Sequence, residues 1–142
     1  MRRLELTGLE DLGEVVRGNS VGQLIHQACS RLGISLIEGD ILVVAHKIVS
    51  KAEGRVARLD EIEPSAQAVE LSGPLNKDPR LLEVILGESR RIIKMGGGTI
   101  IVETHHGFIC ANAGVDLSNV GLGHVALLPQ EPDRSADEIR EE

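Results

Sequence analysis

The irregular order of helix and strand patterns along this 142-residue chain restricts its fold class more than any other feature. Residues 20–33 place their apolar side chains on one helical face, with Ser20 and Gln23 spaced as a capping box and Gly33 as the stop. The run from Ile41 to Ala45 is short, continuous and rich in β-branched side chains. It predicts a strand covered on both faces.

The rest of the chain continues this mixture. Two short helices are predicted first, one over residues 64–71 that Gly73-Pro74 breaks, and one over residues 79–90 that Asp78 caps. Strands are predicted at 92–93 and 99–102, joined by a glycine turn at 96–98, and near 108–110 and 125–128. Ser135 and Glu138 have the spacing of a capping box for a short last helix, but a frayed surface tail is favoured from these residues alone. The order favours an α+β fold, a mixed sheet with flanking helices in one domain over residues 1–142, rather than a regular βαβ array.

Composition argues against several classes of function. Phe108 is the only aromatic residue, so the core is aliphatic and the chain lacks a stacking platform for bases. The formal net charge of -7 also argues against a nucleic-acid partner, and an anionic ligand would need a local positive cluster or a metal. Cys29 and Cys110 form no CxxC pair, which indicates a reduced, cytoplasmic setting. No apolar run approaches membrane-spanning length, so we expect no membrane partner.

Two groups of polar residues are candidates for binding. Lys47 and Lys51, with Ser50 between them, come just past the predicted strand, where they would neutralise a polyphosphate; solvated surface lysines are the alternative. Asp116 offers the hard oxygen that Mg2+ or Mn2+ prefers, and Asn119 can donate to a nucleotide. A plain Asx turn is the alternative there, because one carboxylate makes no metal site without partners.

Three other features are interpreted as structural. His105 and His106 are adjacent, so on a strand they point to opposite faces and are poorly placed to share a zinc ion. The run at residues 96–98 lacks the helix and the Gly-Lys-Ser/Thr of a phosphate loop, which favours a flexible turn. Nothing in the sequence places an imidazole against the Cys110 thiol, which disfavours a nucleophilic role.

Taken together, several segments resemble the F420-0:L-glutamate ligase family. They occur in the family's order, and they are Lys47 to Arg55, Lys77 to Arg80, Glu88 to Arg90 and His106 to Val120. The agreement continues through Leu127-Leu128-Pro129 to the start of the last helix. Several linked motifs are more specific than one short pattern. The chain departs from the family at His46, at His105 and near Gly13, where the family has Gln, Arg and Pro.

The resemblance implies a family-specific ligase fold, a homodimer and a reaction on coenzyme F420-0. GTP phosphorylates a terminal carboxylate of that coenzyme, and the amino group of L-glutamate attacks the acyl phosphate. A divalent metal, Mg2+ or Mn2+, is implied on Asp116, with K+ as a further candidate ion. GTP contacts are implied for Leu12, Gly13, Glu14, Val15, His46, Lys47, Lys51 and Asn119.

The resemblance also implies that residues 1–142 are an amino-terminal domain, truncated before a second half that carries further metal ligands. Two functions remain open. The first is a ligase that is a fragment or is completed by a separate chain. The second is a non-catalytic nucleotide-binding or dimerisation module of the same fold. A zinc hydrolase using His105 and His106 is the least favoured class.

Overall fold

The computed structural model describes residues 3–142 and divides the chain into two compact units. Unit 1 comprises the chain up to Gly54 together with Glu131–Glu142, and unit 2 comprises Arg55–Gln130. The helices are α1 Val21–Leu32, α2 His46–Glu53, α3 Ala66–Leu75, α4 Pro79–Gly87 and α5 Pro132–Glu141. The strands are β1 Val56–Arg58, β2 Ser89–Gly96, β3 Thr99–Thr104, β4 Ile109–Ala111 and β5 His124–Ala126. The α+β class is confirmed, with two small antiparallel sheets, β1-β5 and β2-β3-β4, in place of the expected mixed sheet.

Helix α1 organises unit 1. Its amino end is capped as predicted, because the Ser20 hydroxyl accepts the Gln23 backbone N–H at 3.0 Å, and it ends at Gly33 in the left-handed conformation. Its buried face forms a small cluster of Val21, Ile25 and Cys29. Partly buried side chains packed against this cluster are Leu9, Leu12, Ile34, Val44, Ile48, Ala52 and Ile139.

The predicted strand at residues 41–45 is wrong for the part of the chain that the structure describes. The segment forms no ladder, and its exposed side chains include Ile41 and Val43. Only Val44 packs against the α1 cluster. A strand requires a neighbouring backbone to complete its hydrogen bonds, and residues 3–142 provide none to this segment.

Helix α5 starts three residues before the predicted capping box. It begins at Pro132, whose fixed φ suits a first helical position, and Ser135 therefore lies inside the helix rather than at its cap. The Ser135 hydroxyl donates to Glu53 Oε1 at 2.5 Å. At the other end of the helix Glu142 Oε2 accepts the Gly22 backbone N–H at 3.1 Å, so side-chain contacts attach α5 to the rest of unit 1.

Two helices pack on the sheet of unit 2, and both predicted helix ranges need correction. Helix α3 starts at its cap Ser65 and continues through Gly73-Pro74 to Leu75, although Pro74 cannot donate an N–H to the preceding turn. Helix α4 is capped by Asp78 as predicted but ends at Gly87, because strand β2 begins at Ser89. Its Leu82 and Ile85 are fully buried, as the periodicity predicts.

The glycine turn is confirmed. Strand β2 pairs with β3 up to the Gly96–Thr99 pair, so Gly97 and Gly98 form a two-residue loop with φ of 58° and 74°. Positive φ at both loop positions is the requirement of the hairpin turn that matches strand twist. The buried side chains of β3, Ile100 and Val102, join Leu82 in the aliphatic core of unit 2. Among the described residues no helix is long and apolar enough to cross a membrane.

Candidate functional site

The two candidate lysines lie on helix α2, which the sequence patterns did not predict. Lys47 and Lys51 are four residues apart, so they share one face of the helix. The opposite side is anchored by buried Val49 and by Ile48, which packs against the α1 cluster. The Lys51 ammonium group makes no hydrogen bond or ion pair with residues 3–142. Helix α2 therefore places both lysines on one face.

The backbone N–H groups at the amino end of α2 are not capped by a side chain of the N-cap residue. Its cap residue is Ala45, which has no side-chain oxygen, and no acidic residue lies in the first turn. Helix amino ends carry partial positive charge from unpaired backbone N–H groups, which attracts anions. His46 is the first residue of the helix, and its Nε2 is buried without a hydrogen-bond partner in the described chain. The Ser50 hydroxyl donates to the His46 carbonyl oxygen at 2.9 Å, within the same helix.

Residues 12–15 form an irregular segment of unit 1 with alternating environments. Leu12 packs against the α1 cluster and Val15 is buried, whereas Gly13 and Glu14 are exposed. Gly13 has a φ of 75°, a conformation that favours glycine. The two apolar side chains hold the segment, and the two residues between them are exposed to solvent.

Asp116 and Asn119 lie on a loop of unit 2 with an unusual start. Asn112, Ala113 and Gly114 have φ of 52°, 55° and 71°, which makes a left-handed turn that costs energy at the two non-glycine positions. A Cβ on Gly114 would lie 2.8 Å from Leu128 side-chain carbons. The buried Ala113 and the close Leu128 contact fix this turn in one conformation.

The Asp116 side chain takes part in an Asx turn. Its Oδ1 accepts the Ser118 backbone N–H at 2.7 Å, and its backbone pairs with Ala126 through bonds of 3.0 and 2.8 Å. Asn119 is exposed with a φ of 59°, and its side chain makes no hydrogen bond with residues 3–142. The loop thus holds a half-buried carboxylate and presents an amide three residues later.

The histidines and Cys110 behave as structural residues. His105 and His106 lie in the turn after β3, and their Nε2 atoms bond to different carbonyls, of Gly87 at 2.9 Å and of Pro129 at 2.9 Å. His106 also stacks on Phe108 with ring centroids 5.6 Å apart. Burial raises the pKa of the Cys110 thiol, which disfavours the thiolate that a nucleophile needs.

Known proteins resemble this chain along most of its length. The sequence model described as F420-0:Gamma-glutamyl ligase matches residues 11–142. The Coenzyme F420:L-glutamate ligase of Methanothermobacter thermautotrophicus is 47% identical over 136 residues, 96% of this chain and 54% of that protein. The enzymes of the same name from Methanopyrus kandleri and Methanocaldococcus jannaschii are 47% and 43% identical, over 97% and 99% of this chain and 52% and 54% of those proteins.

The chain belongs to the F420-0:Gamma-glutamyl ligase family. It spans about half the length of the curated relatives it matches.

The structure explains several residues of the family resemblance as scaffold. Arg55 donates to Glu88 Oε2 at 2.6 Å and to the Leu128 carbonyl at 3.1 Å, so one guanidinium links three motif segments. Arg80 donates to both carboxylate oxygens of Asp78, at 3.0 and 2.6 Å. A bidentate contact between arginine and a carboxylate, such as that of Arg80 with Asp78, fixes the relative geometry of the two side chains. Sequence reasoning predicted Asp78 as a helix cap but assigned no structural role to Arg55, Arg80 or Glu88.

Sequence reasoning also missed Asn112. Its Oδ1 is buried and has no hydrogen-bond partner in the described chain. A buried acceptor without a partner is unusual and marks a site that needs an explanation. The signal available in the sequence was Asn112-Ala113-Gly114 itself, because Asn and Gly are the residues that most easily adopt positive φ.

A metal ion fits the family site only in part. Among residues 3–142 no group of three or more His, Cys, Asp or Glu side chains is placed to hold one. Asp116 supplies one carboxylate, and one of its oxygens already accepts a backbone N–H. Mg2+ and Mn2+ prefer several oxygen ligands, so further ligands would have to come from phosphate, water or other residues.

Proposed function

We propose that this chain forms part of a GTP-dependent ligase that joins L-glutamate to coenzyme F420-0. The observation that carries the proposal is the family membership together with the placement of Lys47 and Lys51 on one face of α2, beside an uncapped helix amino end. Both features favour a bound polyphosphate. The proposed reaction takes place in the cytoplasm and in a homodimer, as the family resemblance implies.

In this proposal unit 1 binds the triphosphate. Lys47 and Lys51 offset its charge, and the first-turn N–H groups of α2 add donors. Gly13 and Glu14 are exposed between two anchored residues and contact the nucleotide there. His46 has a buried nitrogen without a partner, which is a donor or acceptor available to the ligand.

In unit 2, Asp116 and Asn119 are the residues for which the family resemblance implies a metal contact and a GTP contact. Asp116 serves as one ligand of Mg2+ or Mn2+, which supplies charge compensation for the phosphates when bound. Asn119 has no side-chain hydrogen bond within residues 3–142 and contacts GTP. The strained turn at Asn112 and Ala113 fixes the backbone that leads to Asp116. K+ is a further candidate ion that the resemblance suggests.

The chemistry has two balanced steps. A carboxylate oxygen of F420-0 attacks the γ-phosphorus of GTP, so GDP leaves and an acyl phosphate forms. The glutamate amine then attacks the acyl carbon, phosphate leaves, and the amine loses a proton as the amide forms. Catalysis of phosphoryl transfer depends mainly on positioning and charge compensation, which Lys47 and Lys51 would provide and to which a metal held by Asp116 would add.

A second function is a non-catalytic nucleotide-binding or dimerisation module. It is favoured by the absence of a complete metal-ligand group among residues 3–142, and by the match to only about half of each relative. The two functions differ in what the chain does when the rest of a ligase is supplied. The ligase proposal requires product, whereas the module proposal requires only binding.

The test is co-expression of this chain with the part of the M. thermautotrophicus ligase that it does not match. The purified pair is incubated with GTP, Mn2+, L-glutamate and F420-0, and mass spectrometry follows the glutamyl product and GDP. We expect equal amounts of both products from the pair and none from the chain alone. A pair that binds GTP in calorimetry but makes no product would support the module. Micromolar or tighter GTP binding by the chain alone would show a more complete site than proposed.

A further inference from the structure

Two segments of unit 1 have the sequence of strands but no strand partner. Leu4 and Leu6 are 86% and 87% exposed, and Ile41 and Val43 are 86% and 88% exposed. In each pair the two side chains are two residues apart, so in an extended backbone they share one face. Residues 4–9 and 41–44 are called the unpaired segments below.

The backbone groups of the unpaired segments also have no hydrogen-bond partner within the described chain. None of the N–H or C=O groups of residues 4–9 and 41–44 forms a hydrogen bond with residues 3–142. Extended, apolar segments with open backbone groups are sites of strand addition, and folded proteins usually cover or charge them. One residue at the end of each segment is packed, because Leu9 and Val44 contact the α1 cluster. The other residues of both segments are exposed.

We propose that the unpaired segments are strands of a sheet that the remaining part of a family ligase completes. The occupant is the portion of chain present in the relatives and not spanned here. The matched relatives extend well beyond the match, because this chain covers 52 to 54% of the first four. A portion of that size is long enough to supply several strands of ordinary length.

The proposed sheet also accounts for the buried-strand pattern that the sequence shows at residues 41–45. The run from Ile41 to Ala45 is apolar at every position, which is the pattern of a strand buried on both faces, but only Val44 of this run is partly buried. Residue 45 is the cap of α2. Pairing of 41–44 would fix the backbone that leads directly into His46 and Lys47, so docking would also order the proposed phosphate site.

The experiment uses the full 142-residue chain, affinity-tagged and co-expressed with the unmatched part of the M. thermautotrophicus ligase, without nucleotide. We expect a soluble complex. Hydrogen exchange should show amides 41–44 unprotected in the chain alone and slowed by about a hundredfold or more in the complex. Soluble recovery of the unmatched part should depend on the tagged chain.

Two variants test whether the segment at 41–44 is the surface that binds the partner. The double variant Ile41→Lys/Val43→Lys should lose the partner, whereas Leu122→Lys, at a leucine that is fully exposed in unit 2, should retain it. Both variants change exposed side chains, so each should keep the circular dichroism of the wild type. These readouts do not involve ligation, so the ligase proposal can fail independently.

Four results would overturn the inference. The first is that the partner stays insoluble in the presence of the wild-type chain, and the second is a complex in which amides 41–44 remain unprotected. The third is a double variant that binds the partner like the wild type. The fourth is protection of amides 41–44 by dimerisation of the chain alone. The last result would identify a second copy of this chain as the occupant.

Discussion

Replacement of Asp116 distinguishes two roles for its carboxylate, stabilising the local turn and binding a metal ion. The Asp116 Oδ1 accepts the Ser118 N–H at 2.7 Å, and an asparagine oxygen can accept the same bond. Asp116→Asn therefore retains the turn and removes the charge, whereas Asp116→Ala removes both. The backbone bonds to Ala126 remain in either variant, because they do not involve the side chain.

The expected stabilities follow from that bond. A hydrogen bond to a charged group contributes about 1.5 to 3 kcal/mol and a neutral one about 0.5 to 1.5 kcal/mol. Asp116 is half-buried, so solvent reduces the charged value towards its lower end. We expect Asp116→Asn to lower the free energy of unfolding by about 1 kcal/mol or less and Asp116→Ala by about 1.5 kcal/mol or more.

The expected activities differ from the expected stabilities. In the assembled ligase, both variants should lose glutamate ligation by about a hundredfold or more at limiting Mn2+, or about 2.7 kcal/mol of barrier. Raising Mn2+ should partly rescue Asp116→Asn, because an amide oxygen is a weaker ligand for a hard cation. Urea unfolding measures the first effect, and product formation against Mn2+ concentration measures the second.

Asp78 provides a matched control in the same unit. Its Oδ1 accepts a backbone N–H two residues later, from Arg80 at 2.8 Å, in the geometry that Asp116 uses with Ser118. Asp78→Asn should cost stability, because it weakens the ion pair with Arg80, and should leave the Mn2+ dependence of ligation unchanged. Wild-type ligation by Asp116→Asn at limiting Mn2+, or an equal Mn2+ shift in Asp78→Asn, would refute the metal assignment.

Three further predictions concern charge, backbone strain and pH. Lys51→Ala in the assembled ligase should weaken GTP binding by about 1.5 to 3 kcal/mol in calorimetry, and Lys51→Arg by less. The free energy of unfolding should not change, because no described residue bonds to the Lys51 ammonium group. Gly114→Ala should cost about 2 kcal/mol or more in urea unfolding, and Gly121→Ala, with a similar φ but no close contact, about 1 kcal/mol. The hydrogen bond from Arg91 lowers the pKa of Glu103. The stabilisation that the ionised Glu103 contributes is therefore present above the unfolded pKa of about 4.3 and is lost as pH falls. In Glu103→Gln the free energy of unfolding should depend less on pH in the acid range.

The elements that sequence predicted well are those with complete local signals. Helix α1 has a cap, a periodic apolar face and a glycine stop within its own residues, and the β2-β3 hairpin has a glycine turn between two β-branched runs. Such signals need no information from distant residues. The resemblance to the ligase family was confirmed for the same kind of reason, since its motifs are contiguous strings.

The failures occurred where distant residues decide the outcome. The apolar run at 41–45 has strand composition, but a strand forms only against a neighbouring backbone, and residues 3–142 supply none. Helix α2 was missed because its eight residues offer only two turns of periodicity and a cap without a side-chain oxygen. The assigned site residues stay predictions, because residues 3–142 hold no group of three or more His, Cys, Asp or Glu side chains placed to bind a metal.

The bonds inside each unit divide the motif residues into two groups with different expected behaviour. Arg55, Glu88 and Asp78 are committed to contacts within unit 2, so their substitution should act first on stability. Lys51 and Asn119 are polar side chains in the same motifs with no hydrogen bond to residues 3–142. A polar side chain that contributes nothing to its own fold can be replaced without unfolding the protein. Loss of GTP binding at normal stability would therefore distinguish these two residues from the scaffold, and it is the result that a ligand contact requires.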